Sequence, residues 1–167
     1  MGAASTDFAA TVRACDWPRY IAIQFAPEAK RDALSTLFAF NAEIDRISRM
    51  ASDPLPGEIR LQWWREVLSG ERDGEARGHP LAAALLDVIR QHQLPHAAFD
   101  RLLEAKAFGL YHDAVPDTVS FEAWCGETDG ALLQLAALIL DPQAASMSAD
   151  ASGHGSIALA VSAILSD

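Results

Sequence analysis

The chain has 167 residues, enough for one domain with a substantial hydrophobic core, and 50% of them are apolar. The formal net charge of −10 disfavours nucleic-acid binding and attraction to anionic lipid through a basic patch. No apolar run is long enough to predict a transmembrane helix, the N-terminus lacks a signal-peptide pattern, and Cys15 and Cys125 are not paired by spacing. We therefore expect a reduced, cytoplasmic protein, with peripheral membrane association left open.

Apolar residues recur at steps of three and four through most of the chain, which predicts an all-α fold. A first helix is predicted from Asp7 to Tyr20, with an interruption at Pro18, and a long second helix from Pro27 to Met50. Further helices are predicted over residues 58–68, 80–92, 96–111 and 121–140, and from about residue 156 onward. Residues 70–80 and 141–155 are rich in Gly and polar side chains and are predicted to be loops.

The long helix contains the segment PEAKRDALSTLFAFNAEID, which resembles the first conserved block of the squalene/phytoene synthase family. Pro27, Lys30 and Arg31 match that block. The resemblance implies an isoprenoid-synthase-like antiparallel helical bundle. Members of this family join two polyprenyl diphosphates head to head, with Mg²⁺ held by two Asp-rich motifs.

The family's metal-binding motif is only partly retained on this helix. Its first aspartate is present as Asp45, whereas its second and last aspartates fall on Arg46 and Arg49. An arginine is always protonated and has no lone pair for a metal. Asp45 is thus a candidate catalytic and Mg²⁺-binding residue, with Glu43 as a substitute ligand. The alternative, which we favour, pairs Asp45 with Arg49 and Glu43 with Arg46 as ordinary ion pairs.

Other positions that the resemblance connects with substrate binding also depart from the family pattern. The motif tyrosine falls on Phe38 and the diphosphate-binding arginine on Ala42. The remaining candidates for contact with a prenyl chain or its diphosphate each have an alternative explanation as packed aromatic residues or as a tight helix crossing: Tyr20, Trp64, Gly126 and Gly130.

The C-terminal helix matches the block that precedes the second Asp-rich motif in this family, and Asp167 falls where the first aspartate of that motif is expected. The resemblance therefore extends over nearly the whole chain and corresponds to about the first three-fifths of a family domain. We expect residues 1–167 to form a single, C-terminally incomplete domain, with Asp167 as a second candidate catalytic residue.

Three functions are compatible with these residues. The first is a family member that binds a prenyl diphosphate or lipid with a degraded metal site. The second is a protein-interaction role, in homo-oligomers or with a partner, because the segment PGEIRLQWWREVLSG resembles the branch that includes a mitochondrial complex I assembly factor. The third is an active, Mg²⁺-dependent prenyltransferase.

Overall fold

The computed structural model describes residues 7–50, 53–111 and 117–164. Across these ranges all regular elements are helical and no strand occurs, which confirms the all-α prediction. The α-helices are α1 (Phe8–Cys15), α2 (Trp17–Gln24), α3 (Glu28–Met50), α4 (Pro54–Ser69), α5 (Asp73–Gly78), α6 (Pro80–His92), α7 (His96–Phe108), α8 (Thr118–Cys125), α9 (Ala131–Leu140) and α10 (Ala149–Ile164). Two 3₁₀ turns (Gly109–Tyr111 and Ala145–Ser148) and a π-helical turn (Gly126–Gly130) complete the elements.

The predicted first helix is divided into two at Asp16. The backbone of Asp16 is non-helical, with φ −148° and ψ 78°, and its carboxylate accepts a hydrogen bond from the Arg19 N–H at 3.0 Å. Asp16 is therefore the N-cap of α2, and Pro18 in the first turn needs no intrahelical donor. The interruption predicted at Pro18 therefore occurs two residues earlier, at Asp16, because this aspartate caps a new helix.

Both predicted loops contain helix. Residues 70–80 include α5, which is short and buries Ala76, while α4 before it ends at Gly70 in the left-handed conformation, φ 86°. Residues 141–155 include the second 3₁₀ turn and the start of α10, where Ala145 and Ser152 are buried. Burial of small residues favours helix here more strongly than their polar neighbours favour loop.

The predicted helix over 121–140 is interrupted. Helix α8 begins earlier, at Thr118, because the Asp117 carboxylate caps it by accepting from the Ser120 N–H at 2.7 Å. The π-helical turn Gly126–Gly130 then separates α8 from α9. A π turn adds one residue to the helical path, and such turns are frequent at functional sites.

Helix α3 is the centre of the molecule and packs against α1, α2, α4, α6, α7 and α9. At its middle the fully buried Phe40 meets Trp64 of α4 and Phe99 of α7 edge-on, with ring centroids 5.0 and 5.9 Å apart. Edge-to-face geometry suits aromatic pairs. Among the described helices, none has the length and apolar character needed to cross a bilayer.

Candidate functional site

The candidate site is the face of α3 that carries Phe38, Ala42 and Asp45. Asp45 lies two turns from Phe38 on this helix. Its carboxylate accepts from the ammonium of Lys106 on α7 at 2.5 Å and from the Asn41 amide at 2.9 Å. The side chains of Asp45 and Lys106 are only 25% and 12% exposed. The carboxylate predicted to bind a metal is thus part of a largely buried ion pair that connects α3 to α7.

Glu43, the predicted substitute ligand, also forms an ion pair. Its carboxylate accepts from Arg46 in a two-pronged arrangement, Nε to Oε2 at 3.1 Å and Nη2 to Oε1 at 2.8 Å. This confirms the predicted Glu43–Arg46 ion pair. The side chain of Arg49 lies outside the described residues, as does Asp167, so the predicted Asp45–Arg49 pairing and the role of Asp167 stay predictions.

The retained donors do not fit a Mg²⁺ centre of the family type. Such a centre takes several oxygen ligands, and within residues 7–50, 53–111 and 117–164 no group of three or more His, Cys, Asp or Glu side chains could hold a metal ion. Asp45 would also have to exchange Lys106 for the metal, leaving the ammonium without its carboxylate partner.

At the other end of the same face, Arg19 of α2 covers Phe38. The Arg19 guanidinium lies 5.7 Å from the centre of the Phe38 ring. It forms ion pairs with Asp16, at the start of its own helix, and with Asp129 in the π turn. Burial acts to lower the pKa of Arg19, but the charges and hydrogen bonds of Asp129 and Asp16 outweigh it, so the pKa is raised and Arg19 stays charged.

The π turn determines where Asp129 lies. Thr128 is buried, and its hydroxyl donates to the carbonyl of Trp124, near the end of α8, at 2.8 Å. The residue after Thr128, Asp129, forms an ion pair with Arg19 of α2. The turn thus contributes a charged group to the α3 face.

The two glycines of this turn have different surroundings. A Cβ at Gly130 would meet Ser156 of α10 at 3.5 Å and the Cys125 carbonyl at 3.4 Å, so α10 approaches the chain closely here. A Cβ at Gly126 would meet nothing within 4 Å. The tight crossing predicted for both positions therefore occurs at Gly130 and is wrong for Gly126, which lies on the surface.

The two aromatic candidates lie apart from each other. Trp64 is 2% exposed and packs on Phe40, which lies about 200° around α3 from Phe38, since successive residues of an α-helix are about 100° apart. Tyr20 is half-buried on α2 and stacks on Trp17, with ring centroids 5.5 Å apart. Phe38 therefore lies beside Arg19, the residue before Tyr20, and Arg19 pairs with Asp129, the residue before Gly130. Trp64 lies in the core on the other side of α3.

The sequence did not predict the residues that neutralise this face: Arg19, Lys106 and Asp129. The pair Asp16–Arg19 has i, i+3 spacing and could have been found. Lys106 lies 61 residues from Asp45, and Asp129 lies 110 residues from Arg19, so neither contact had a local signal.

The family model for squalene/phytoene synthase matches residues 12–167. The chain belongs to the squalene/phytoene synthase family. Its helices accordingly form an isoprenoid-synthase-type all-α fold.

The curated relatives of this squalene/phytoene synthase family chain include "NADH dehydrogenase (ubiquinone) complex I, assembly factor 6" from three mammals. The Bos taurus protein is 25% identical over 142 residues, which is 84% of this chain and 43% of the relative. The Mus musculus and Homo sapiens proteins are 25% and 23% identical, each over 77% of this chain and 39% of the relative. The chain thus spans about two-fifths of the length of these relatives. No solved structure matches it.

Proposed function

We propose that this family member is non-catalytic and acts by binding a protein partner during assembly of a respiratory NADH dehydrogenase complex. The observation that carries the proposal is the ion pair between Asp45 and Lys106, 2.5 Å apart. It occupies the one carboxylate of the first Asp-rich motif that the chain retains. The relatives are complex I assembly factors, which indicates the class of partner.

The charge of the α3 face supports the same conclusion. Among the side chains that the structure describes on this face, the two cations Arg19 and Lys106 are already paired with three carboxylates, those of Asp16, Asp45 and Asp129. Without bound metal, a prenyl diphosphate would have to compete with these carboxylates for Arg19 and Lys106, which opposes binding.

The competing function is metal-free binding of a prenyl chain. The guanidinium of Arg19 lies directly over the apolar ring of Phe38, so a cation and an aromatic surface do coincide on this face. This arrangement favours a lipid with a polar head as the second candidate. It requires the ligand to displace Asp16 or Asp129 from Arg19.

Thermal melting with farnesyl diphosphate, with and without Mg²⁺, separates these functions. A ligand at a hundredfold excess over its Kd stabilises the native state by about 2.7 kcal/mol. We expect no shift in either condition. A shift that needs Mg²⁺ would show a working diphosphate site and contradict the proposal, and a shift without Mg²⁺ would establish the second candidate.

The double variant R46D/R49D is the matched control for this assay, because it restores two motif carboxylates beside Asp45 on one helix. Arg46 is 51% exposed, so its replacement is compatible with folding.

The partner role is tested separately: the tagged chain should retain subunits of the NADH dehydrogenase complex on purification from membranes, and a tagged unrelated acidic helical protein should not.

A further inference from the structure

The outer face of α2 is apolar and exposed. Trp17, Ile21 and Phe25 follow one another at steps of four residues and are 54%, 37% and 85% exposed. Pro18 and Ala22 are exposed beside them. In the sequence of α2, WPRYIAIQ, no carboxylate occurs, although the chain has 23 Asp and Glu residues.

A cation, Arg13, lies against the rings of this face. The guanidinium of Arg13 lies 5.8 Å from the centre of the Trp17 ring and 5.9 Å from that of Tyr20. Arg13 itself is exposed, so its charge is available to an anionic group above the rings. The face therefore combines large apolar side chains with a cation at their edge.

The size of the face favours a lipid surface over a protein partner. Aromatic side chains present about 150–250 Å² each, so the exposed parts of these three residues amount to roughly 300–400 Å². A stable protein interface needs about 800 Å² per partner, which an eight-residue helix about 12 Å long does not offer alone. Shallow insertion into a bilayer has no such requirement.

We propose that the outer face of α2 docks on the surface of a lipid bilayer. Trp17 and Phe25 enter the boundary between headgroups and acyl chains, a level at which Trp is enriched in membrane proteins. Arg13, stacked on Trp17, faces the lipid phosphate. Because the attraction comes from apolar insertion, docking occurs on zwitterionic phosphatidylcholine and does not need the basic patch that this acidic chain lacks. This inference is independent of the proposed function.

Flotation with phosphatidylcholine vesicles tests the proposal. We expect wild-type protein to float with the vesicles and W17S/F25S to show a partition coefficient at least about tenfold lower, since two large apolar groups are lost. The matched control V119S/M147S changes residues that are 75% and 86% exposed elsewhere and should partition like wild type. Equal partition of W17S/F25S and wild type, or no flotation of wild type, would overturn the proposal.

A second measurement does not depend on a destabilised variant. Vesicles of brominated phosphatidylcholine should quench part of the wild-type tryptophan fluorescence, and W17F should lose that quenching while still floating. Unchanged quenching in W17F would place another tryptophan in the bilayer and refute the docking face. A wild-type dimer that W17S/F25S converts to a monomer, with no vesicle binding, would assign the face to a second copy of the chain and also refute it.

Discussion

The carboxylate of Asp45 is satisfied by groups from two helices, which makes Lys106 a structural residue. Replacing Lys106 with Met leaves a carboxylate that is only 25% exposed with Asn41 as its remaining partner. We expect K106M to lower the free energy of unfolding by about 1–3 kcal/mol, the cost of leaving a buried polar partner unsatisfied. Urea denaturation measures this change.

The double variant D45N/K106M separates the energy of the ion pair from the effect of losing either side chain alone. Because the two residues are in contact, the two single changes should not be additive, and we expect a coupling energy of about 0.5–3 kcal/mol. Mg²⁺ titration of K106M adds a second readout, since removing Lys106 frees Asp45. Additive single changes would mean that the ion pair contributes nothing to folding.

Arg19 is expected to be more sensitive than any exposed arginine. Its side chain is 14% exposed, and R19M would leave Asp16 and Asp129 without their cation in a region that is 20% and 17% exposed. Removing one partner of a buried ion pair typically destabilises by about 3–5 kcal/mol.

Arg90 provides the control for this prediction, because it also pairs with an aspartate but is 78% exposed. We expect R90M to change the unfolding free energy by less than about 0.5 kcal/mol. Chemical denaturation of both variants under the same conditions gives the comparison, and similar losses for R19M and R90M would contradict a role for burial in the Arg19 pair.

At the scale of the element, the π turn between α8 and α9 makes two glycines behave differently. Gly126 has helical dihedral angles, φ −61° and ψ −44°, and open space around it. G126A should therefore stabilise the protein by about 0.5–1 kcal/mol by removing backbone entropy from the unfolded chain.

Gly130 should respond in the opposite direction to a large side chain. Ser156 lies 3.5 Å from where its Cβ would be, so G130L would push α10 away from the π turn and destabilise by about 1–3 kcal/mol. G130A, whose Cβ makes ordinary contacts, is the control and should change stability little. The midpoints of urea unfolding of G126A, G130A and G130L test this order of stability. A loosely packed α10 would accommodate the leucine, and G130L would then be as stable as G130A.

The helices that sequence reasoning located best are those with a strong local signal. Helices α3 and α6 follow from apolar periodicity and a proline near the start, and both were predicted within a residue at their first position. The cap at Asp16, the π turn and α5 were missed. These features depend on the packing of small residues and on the Asp16 cap, which starts a new helix within an apolar pattern that is otherwise continuous.

At the scale of the whole molecule, the candidate site was predictable in its motif and unpredictable in its charge balance. The loss of the aspartates at Arg46 and Arg49 can be read from α3 alone, and the Glu43–Arg46 pair follows from i, i+3 spacing. Lys106 and Asp129 reach the α3 face only because α7 and the π turn fold against it. Tertiary contacts thus decide that Asp45 is neutralised.

The same long-range packing should be visible in the reactivity of the two thiols. Cys15 is exposed, whereas Cys125 is fully buried where α8 meets the π turn. Burial, and then the nearby charge of Asp129, raise the pKa of the Cys125 thiol, so at a given pH less of it is the reactive thiolate. We expect a disulfide reagent to label native protein at Cys15 quickly, while Cys125 reacts slowly and only after local opening.

In the variant C15S only Cys125 can be labelled, so the labelling rate measures local opening of the structure around Cys125. When opening and closing are fast relative to labelling, the rate follows the population of the open form. Because Arg19 anchors Asp129 beside Cys125, R19M in the C15S background should accelerate labelling by a factor of about 100–1,000 or more, since each 1.4 kcal/mol is tenfold. R90M should leave the rate unchanged. Equal rates in R19M and R90M would mean that the π turn opens without breaking the Arg19 pair, and that this pair does not hold α2 to the rest of the bundle.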